Sequence, residues 1–366
     1  MSQYPFGSTK DELDTPCLCV DLDLMEKNIL DLAQYCKERN VQWRPHSKCH
    51  KIPAIAHREV EAGAVGVTCA KVGEAEVMAA GGIRDILIAN QIVGAKKIAR
   101  VVSLCHSADI IVTVDHIDQA VPLANAADQA GVTPRVIIEI DIGLSRAGVL
   151  PGEPTIELAR KLSELKGIRF SGVMAYEGHL LTIENPDEKR NLIFAAMQTV
   201  LDTKNALESA GLACEIVSVG GTGSYHITAD CPGITELQAG GGIFMDPFYR
   251  DVCQVPGLEF ALTVLTTVTS RPTLSRANID AGRKSVNTDL ALPLIQGRED
   301  ISVEFFSAEH GTLKLEPSAE HLAMGDQLEL IVGYGDLTTC LHDEMYGFRK
   351  GRLEVVWPIL GRGKIR

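Results

Sequence analysis

The chain has no excess of positive charge: 48 Asp and Glu stand against 35 Lys and Arg, a formal net charge of −13. Such a surface repels phosphodiester backbones and anionic headgroups, which argues against nucleic acid or a membrane as partner. No apolar stretch has the length of a membrane span, and the opening MSQYPFGSTKDELDTP holds no apolar core of signal-peptide length. The ten cysteines form no CxxC pair and no regular framework. Cys17 and Cys19, two apart in a strand-like run, share one face and are expected as buried thiols rather than metal ligands. Internal repeats, low-complexity tracts and long linkers are missing too. These absences point to a cytoplasmic globular protein, and any anionic ligand must be met by a local arrangement of donors.

What is present is alternation. Short apolar runs at 42–47, 64–70, 85–90, 109–114, 135–141, 170–176, 215–220 and 242–246 read as strands, and VIIEIDIG and DIIVTVD are almost continuously apolar, as parallel strands covered on both faces should be. Between them, GEAEVMAAGG, IELARKLSELKG and EKRNLIFAAMQTVLDTKNALESAG space apolar residues by three and four and end in glycine, a common helix stop. Eight such units predict an α/β protein built on a (β/α)8 TIM-type barrel; an open doubly wound sheet is the alternative. After Pro256 the runs LTVLTTVTSRP, ISVEFFSAEHGTLKLE and DQLELIVGYGD alternate with turn residues, which predicts an antiparallel β-domain. PCLCVDL is a ninth strand, one more than the barrel needs.

Reactive groups in such barrels sit at the C-terminal ends of strands. Lys48, in WRPHSKCH, falls after the first predicted strand, Arg146 after the fifth and Tyr176 at the end of the sixth. Gly220–Ser224 (GGTGS) follows the seventh, and Gly240–Gly242 leads into the predicted eighth. A glycine-rich turn there exposes N–H groups that can cradle a phosphate, with the Thr222 and Ser224 hydroxyls as further donors; the plain alternative is a tight turn and nothing more. Lys48 is either a solvated lysine or, desolvated in the mouth, a nucleophile that forms a Schiff base. A lysine and a phosphate cradle together suggest a phosphorylated aldehyde, of which pyridoxal phosphate is the commonest cofactor. His46 and His50 flank Lys48 at even spacing and, in an extended strand, would share its face. His179 in YEGH and His310 in AEHG stand at candidate mouth positions, each a general base or a structural histidine.

With those residues in hand, the chain resembles the D-threonine aldolase and D-serine dehydratase group of the alanine racemase-like, fold type III pyridoxal-phosphate enzymes. The stretches that carry the resemblance include DTPCLCVDLDLMEKNI, RPHSKCHK, EIDIGLSRAGV, GVMAYEGH, VGGTGSY, ITELQAGGGIFMD and LHDEMYGFRKGRLEVVWPILGRGK. It implies that Lys48 carries the Schiff base, that Tyr176 packs near the cofactor ring, that Arg146 contacts cofactor or substrate, and that Thr222, Gly223 and Gly241 belong to the phosphate cradle. It also assigns residues 1–25 to a strand joining the β-domain, 26–255 to the barrel and 256–366 to the β-domain, and it implies a homodimer.

One departure stands out. The group usually carries a histidine, one residue, then cysteine or aspartate near the C-terminus, binding a divalent metal that grips the substrate hydroxyl. Here the corresponding stretch is Tyr334-Gly335-Asp336. A neutral phenol is a poor ligand, so any ion left on Asp336 would be weakly held Mg²⁺ or Mn²⁺. His342 and Asp343 nearby fit a surface turn better than a substitute site. Tyr334 is instead a candidate acid or base, with packing as its structural alternative. The expected function is a pyridoxal-phosphate lyase acting on a D-β-hydroxy-α-amino acid, a small molecule, most simply by retro-aldol cleavage to glycine and an aldehyde. A dehydratase of D-serine or 3-hydroxyaspartate type is the first alternative, then a racemase or epimerase using Tyr334 and Lys48 as opposed bases. A non-catalytic cofactor carrier is disfavoured by the β-domain.

Overall fold

The computed structural model describes residues 4–366, so the first three residues of the expected 1–25 segment lie outside it. The chain forms two compact units: residues 4–30, 241–252 and 256–363 in one, and 31–240, 253–255 and 364–366 in the other.

The second unit is the barrel. Its strands are β2 (Gln42–Trp43), β3 (Val67–Cys69), β4 (Asp85–Gln91), β5 (Asp109–Val114), β6 (Arg135–Glu139), β7 (Arg169–Met174), β8 (Ile216–Val219) and β9 (Glu236–Leu237), following β1 (Cys17–Asp21) of the other unit. Their order is β2-β9-β8-β7-β6-β5-β4-β3, with every neighbour parallel. The ring closes where Val65 N donates to Trp43 O at 2.9 Å and Thr68 N to Pro45 O at 2.9 Å, with a His46–Thr68 bridge. Leu87, Ile111, Ile137, Met174 and Ile216, one from each of β4 to β8, pack as a buried cluster.

The eighth barrel strand is Glu236–Leu237, not 242–246. Residues 241–243 form a 3-10 turn instead. Gly240 explains the switch: a Cβ there would sit 2.3 Å from His46 O, so the chain passes against the first strand and turns away. The three glycines therefore follow the last strand rather than precede it.

The first unit is a β-domain. To β1 it adds β10 (Leu262–Thr273), β11 (Arg276–Ile279), β12 (Leu294–Ile295), β13 (Ile301–Phe306), β14 (Gly311–Leu315), β15 (Gln327–Ile331), β16 (Glu344–Arg349) and β17 (Arg352–Pro358). β1 lies between β10, antiparallel, and β16, its one parallel neighbour. Cys17 and Cys19 enter a buried cluster with Leu13, Leu265, Phe348 and Leu353, their Sγ atoms 3.8 Å apart and unbridged. Among the described residues, no helix is long and apolar enough to cross a membrane.

Candidate active site

The pairing of β2 runs on past Trp43, with Arg44 N donating to Leu237 O at 2.9 Å and His46 N to Gln238 O at 3.1 Å, and the chain then enters a 3-10 turn, Ser47–Cys49. Lys48 is the middle residue of that turn, half-buried. Packing pins the turn on both sides: Ser47 Oγ donates to Thr68 O at 3.0 Å, and Cys49 Sγ to Gly240 O at 3.4 Å. The Lys48 N–H points at His46 Nδ1, 3.4 Å away. Burial, then the charges of Lys48, Lys51 and Arg146, hold His46 well below the usual histidine range, so near neutral pH it is an uncharged acceptor. Lys51 closes the turn with φ at 59° and pairs with Glu74, which also accepts from Ala70 N at 2.7 Å.

The expectation that His46, Lys48 and His50 share one face of a strand is therefore wrong. The chain is turning, not extended, and His50 points inward, fully buried, its Nδ1 accepting from Ile52 N at 3.0 Å and its Nε2 lying 3.4 Å from Glu59.

Three further groups stand at the same end of the barrel. Arg146 rides on the loop after β6, which Asp141 shapes by accepting from Gly143 N at 2.9 Å and Ser145 N at 3.0 Å. Those two bonds hold its carboxyl below the ordinary aspartate range. The guanidinium lies 5.7 Å from the Tyr176 ring centroid, within reach of a cation–π contact, and 3.4 Å from the buried Glu139. Tyr176, after β7, lies against Gly178 and Gly221, where an added Cβ would come 2.6 Å and 2.9 Å from the ring. His179, in the 3-10 turn Gly178–Leu180, faces Gly143 in the same way, at 2.8 Å. Gly221→Ala is accordingly expected to displace the Tyr176 ring at about 1–3 kcal/mol of stability. A thermal melt checks this, and an unchanged melt would mean that the ring is not held by that contact.

The Gly220–Ser224 turn follows β8 and leads into the short helix Tyr225–Thr228. Ser224 Oγ is engaged with Gly221 N at 3.3 Å and Gly221 O at 3.4 Å, so its hydroxyl shapes the turn itself. Thr222 is buried, and the Gly223 N–H donates to no acceptor among the described residues.

Tyr334 and Asp336 belong to the β-domain unit, as does Gly241, expected for the cradle; Gly241 lies against the Tyr249 ring. Tyr334 Oη donates to Asp336 Oδ2 at 3.0 Å, and its ring packs edge-on to Phe248 at 5.5 Å and tilted to Tyr249 at 5.9 Å. Asp246 joins them, accepting from Gly335 N at 3.0 Å and Tyr249 N at 2.9 Å. Burial, with Asp336 adding to it, pushes the Asp246 carboxyl up to about 7. Among the described residues no group of three or more His, Cys, Asp or Glu is arranged to hold a metal.

His342 Nε2 lies 2.8 Å from Ser285 O, and Asp343 pairs with Arg362 at 2.7 Å, both structural contacts. His310 sits exposed in the turn between β13 and β14 of the β-domain unit. Asp246 escaped sequence reading. Its only signal is a single acid closing the apolar run GIFM, and its partner at Gly335 is 89 residues away.

A parallel barrel with a lysine, an arginine, a tyrosine and a glycine-rich turn at its C-terminal mouth, joined to a β-domain that takes the N-terminal strand, defines an alanine racemase-like fold. The chain belongs to that family: residues 20–247 match "Alanine racemase, N-terminal domain", and residues 261–348 match "Putative serine dehydratase domain". It is 36% identical to a 3-hydroxy-D-aspartate aldolase of Paracoccus denitrificans over 98% of its length and 94% of the relative's. The crystal structure of D-threonine aldolase from Filomicrobium marinum superposes with a TM-score of 0.96 at 37% identity, covering 100% of both chains. D-threo-3-hydroxyaspartate dehydratase from Delftia sp. HT23 follows with a TM-score of 0.87 at 27% identity, covering 96% of this chain and 98% of that one. The family implies pyridoxal phosphate as cofactor.

Proposed function

We propose that the protein cleaves a D-β-hydroxy-α-amino acid to glycine and an aldehyde. What carries this is the likeness to two aldolases over nearly the full length of each chain, together with Lys48 on a packed turn at the barrel mouth. The residues of the barrel unit fit pyridoxal phosphate: Lys48 for its aldehyde, the Tyr176 face between two glycines for its ring, and Thr222 and the Gly223 N–H for its phosphate, to which the family likeness adds Gly241. Ser224 supports that cradle by holding its turn. When bound, the cofactor withdraws electrons from Cα.

The chain's own residues supply the rest. Arg146 offers its cation to cofactor or substrate. Tyr334 passes its own proton to Asp336, toward which its hydroxyl already donates, and takes that of the β-hydroxyl as Cα–Cβ breaks; the bond's electron pair stays with Cα until that carbon is protonated. His179 is the second candidate proton carrier. A metal on Asp336 is at most a weakly held Mg²⁺ or Mn²⁺. The Delftia relative supports a second reading, loss of water from the same substrates. The family likeness also supports a homodimer, which light scattering can check.

The test is a panel of D- and L-β-hydroxy-amino acids, with and without EDTA, and with products identified. Glycine plus an aldehyde from D-isomers supports the aldolase; ammonia plus a keto acid would replace it with the dehydratase, and interconversion of D- and L-forms with a racemase.

A further inference from the structure

Lys189 is a buried cation of the barrel unit for which the proposed reaction has no use. It lies in the first turn of the helix Pro186–Ser209 and is 1% exposed. A cation is disfavoured there twice over, by burial and by the positive end of the helix dipole. Burial accordingly pushes its ammonium below the ordinary lysine range. Its partners are two main-chain carbonyls, Gly223 O at 3.2 Å and Cys253 O at 2.5 Å. The carboxylate that acts against this lowering is Glu177, fully buried, with Oε1 accepting from Thr228 Oγ1 at 2.5 Å and Oε2 without a hydrogen-bond partner among the described residues.

A packed apolar side chain would fill this position at lower cost, so the charge calls for a purpose beyond packing. Gly223 supplies it. Its carbonyl faces inward to Lys189, its N–H meets no described acceptor, and a Cβ on it would come within 3.0 Å of Leu181 and 3.2 Å of Cys253 Sγ. The turn is thus clamped from behind by an ammonium and by close packing.

We propose that Lys189 is a positioning residue for a phosphate monoester: it fixes the Gly220–Ser224 turn through Gly223 O and sets a buried positive charge behind the site of the dianion. This rests on the assignment of that turn as the cofactor's phosphate cradle.

The test uses the full chain, stripped of cofactor and titrated with pyridoxal phosphate and, separately, with pyridoxal, which lacks the phosphate. Lys189→Met is expected to weaken pyridoxal phosphate binding about 10- to 100-fold, the scale of a lost charged hydrogen bond, and to leave pyridoxal binding within about 2-fold. Should Lys189→Met fail to fold, Lys189→Gln keeps a donor for one carbonyl, removes the charge, and is expected to show the same selective loss. Equal losses for both ligands would make Lys189 merely structural and overturn the proposal, as would no loss for either. If the wild-type chain itself binds pyridoxal as tightly as pyridoxal phosphate, the cradle assignment fails, and the clamp with it.

Discussion

Lys48→Ala is expected to fold, to lose the absorbance at about 420 nm that bound pyridoxal phosphate gives, and to lose turnover by about 10³-fold or more, the scale of removing a nucleophile. The fold should survive because the turn that carries Lys48 is pinned by its neighbours: Ser47 bonds to Thr68 O and Cys49 to Gly240 O. Neither contact needs the lysine side chain. The other lysines of the unit nearest in chemistry are committed elsewhere, Lys51 to Glu74 and Lys189 to two carbonyls. Borohydride reduction of the loaded wild-type protein, followed by peptide mapping, should therefore mark Lys48 and no other. A label on a different lysine, or a Lys48→Ala protein that retains both colour and turnover, would overturn the assignment.

Tyr334→Phe is expected to lose about 10²- to 10⁴-fold in turnover, the usual contribution of a positioned acid or base. The substitution separates packing from chemistry. The phenyl ring keeps its contacts with Phe248 and Tyr249, so the cluster stays filled. Only the hydroxyl that donates to Asp336 Oδ2 disappears. Losing one hydrogen bond to a charged group costs about 1.5–3 kcal/mol at most, so the melting temperature should fall modestly while activity collapses. The wild type should tolerate EDTA far better than a site built on an imidazole nitrogen would, because a neutral phenol leaves Asp336 as one hard oxygen ligand. Full activity in Tyr334→Phe would remove the hydroxyl from the mechanism. Tight, stoichiometric zinc in the wild type would show that the metal is held by groups other than those proposed.

The sequence by itself determined a good deal about this protein. Long β-branched runs such as DIIVTVD and VIIEIDIG, separated by amphipathic helices, specify buried parallel strands, because a segment covered on both faces must be apolar throughout. The change of texture after Pro256 specifies the β-domain for the converse reason, since its strands alternate. The motif around Lys48 is local, and it singled out the lysine from the sequence.

Tertiary structure decided what no local pattern encodes. β2 and β9 are two residues each, too short to show a period, so the closing strands were set by hydrogen bonds to partners nearly two hundred residues apart. The glycines at 240–242 read equally well as an entry to a strand or an exit from one, until the approach of Gly240 to His46 made them an exit. His50 turns inward because the 3-10 turn Ser47–Cys49 breaks the alternation on which an extended strand depends. The Asp246–Gly335 contact and the Lys189–Gly223 clamp join residues 89 and 34 positions apart. Periodicity records whether a face is buried; it carries no record of which distant group will meet it there.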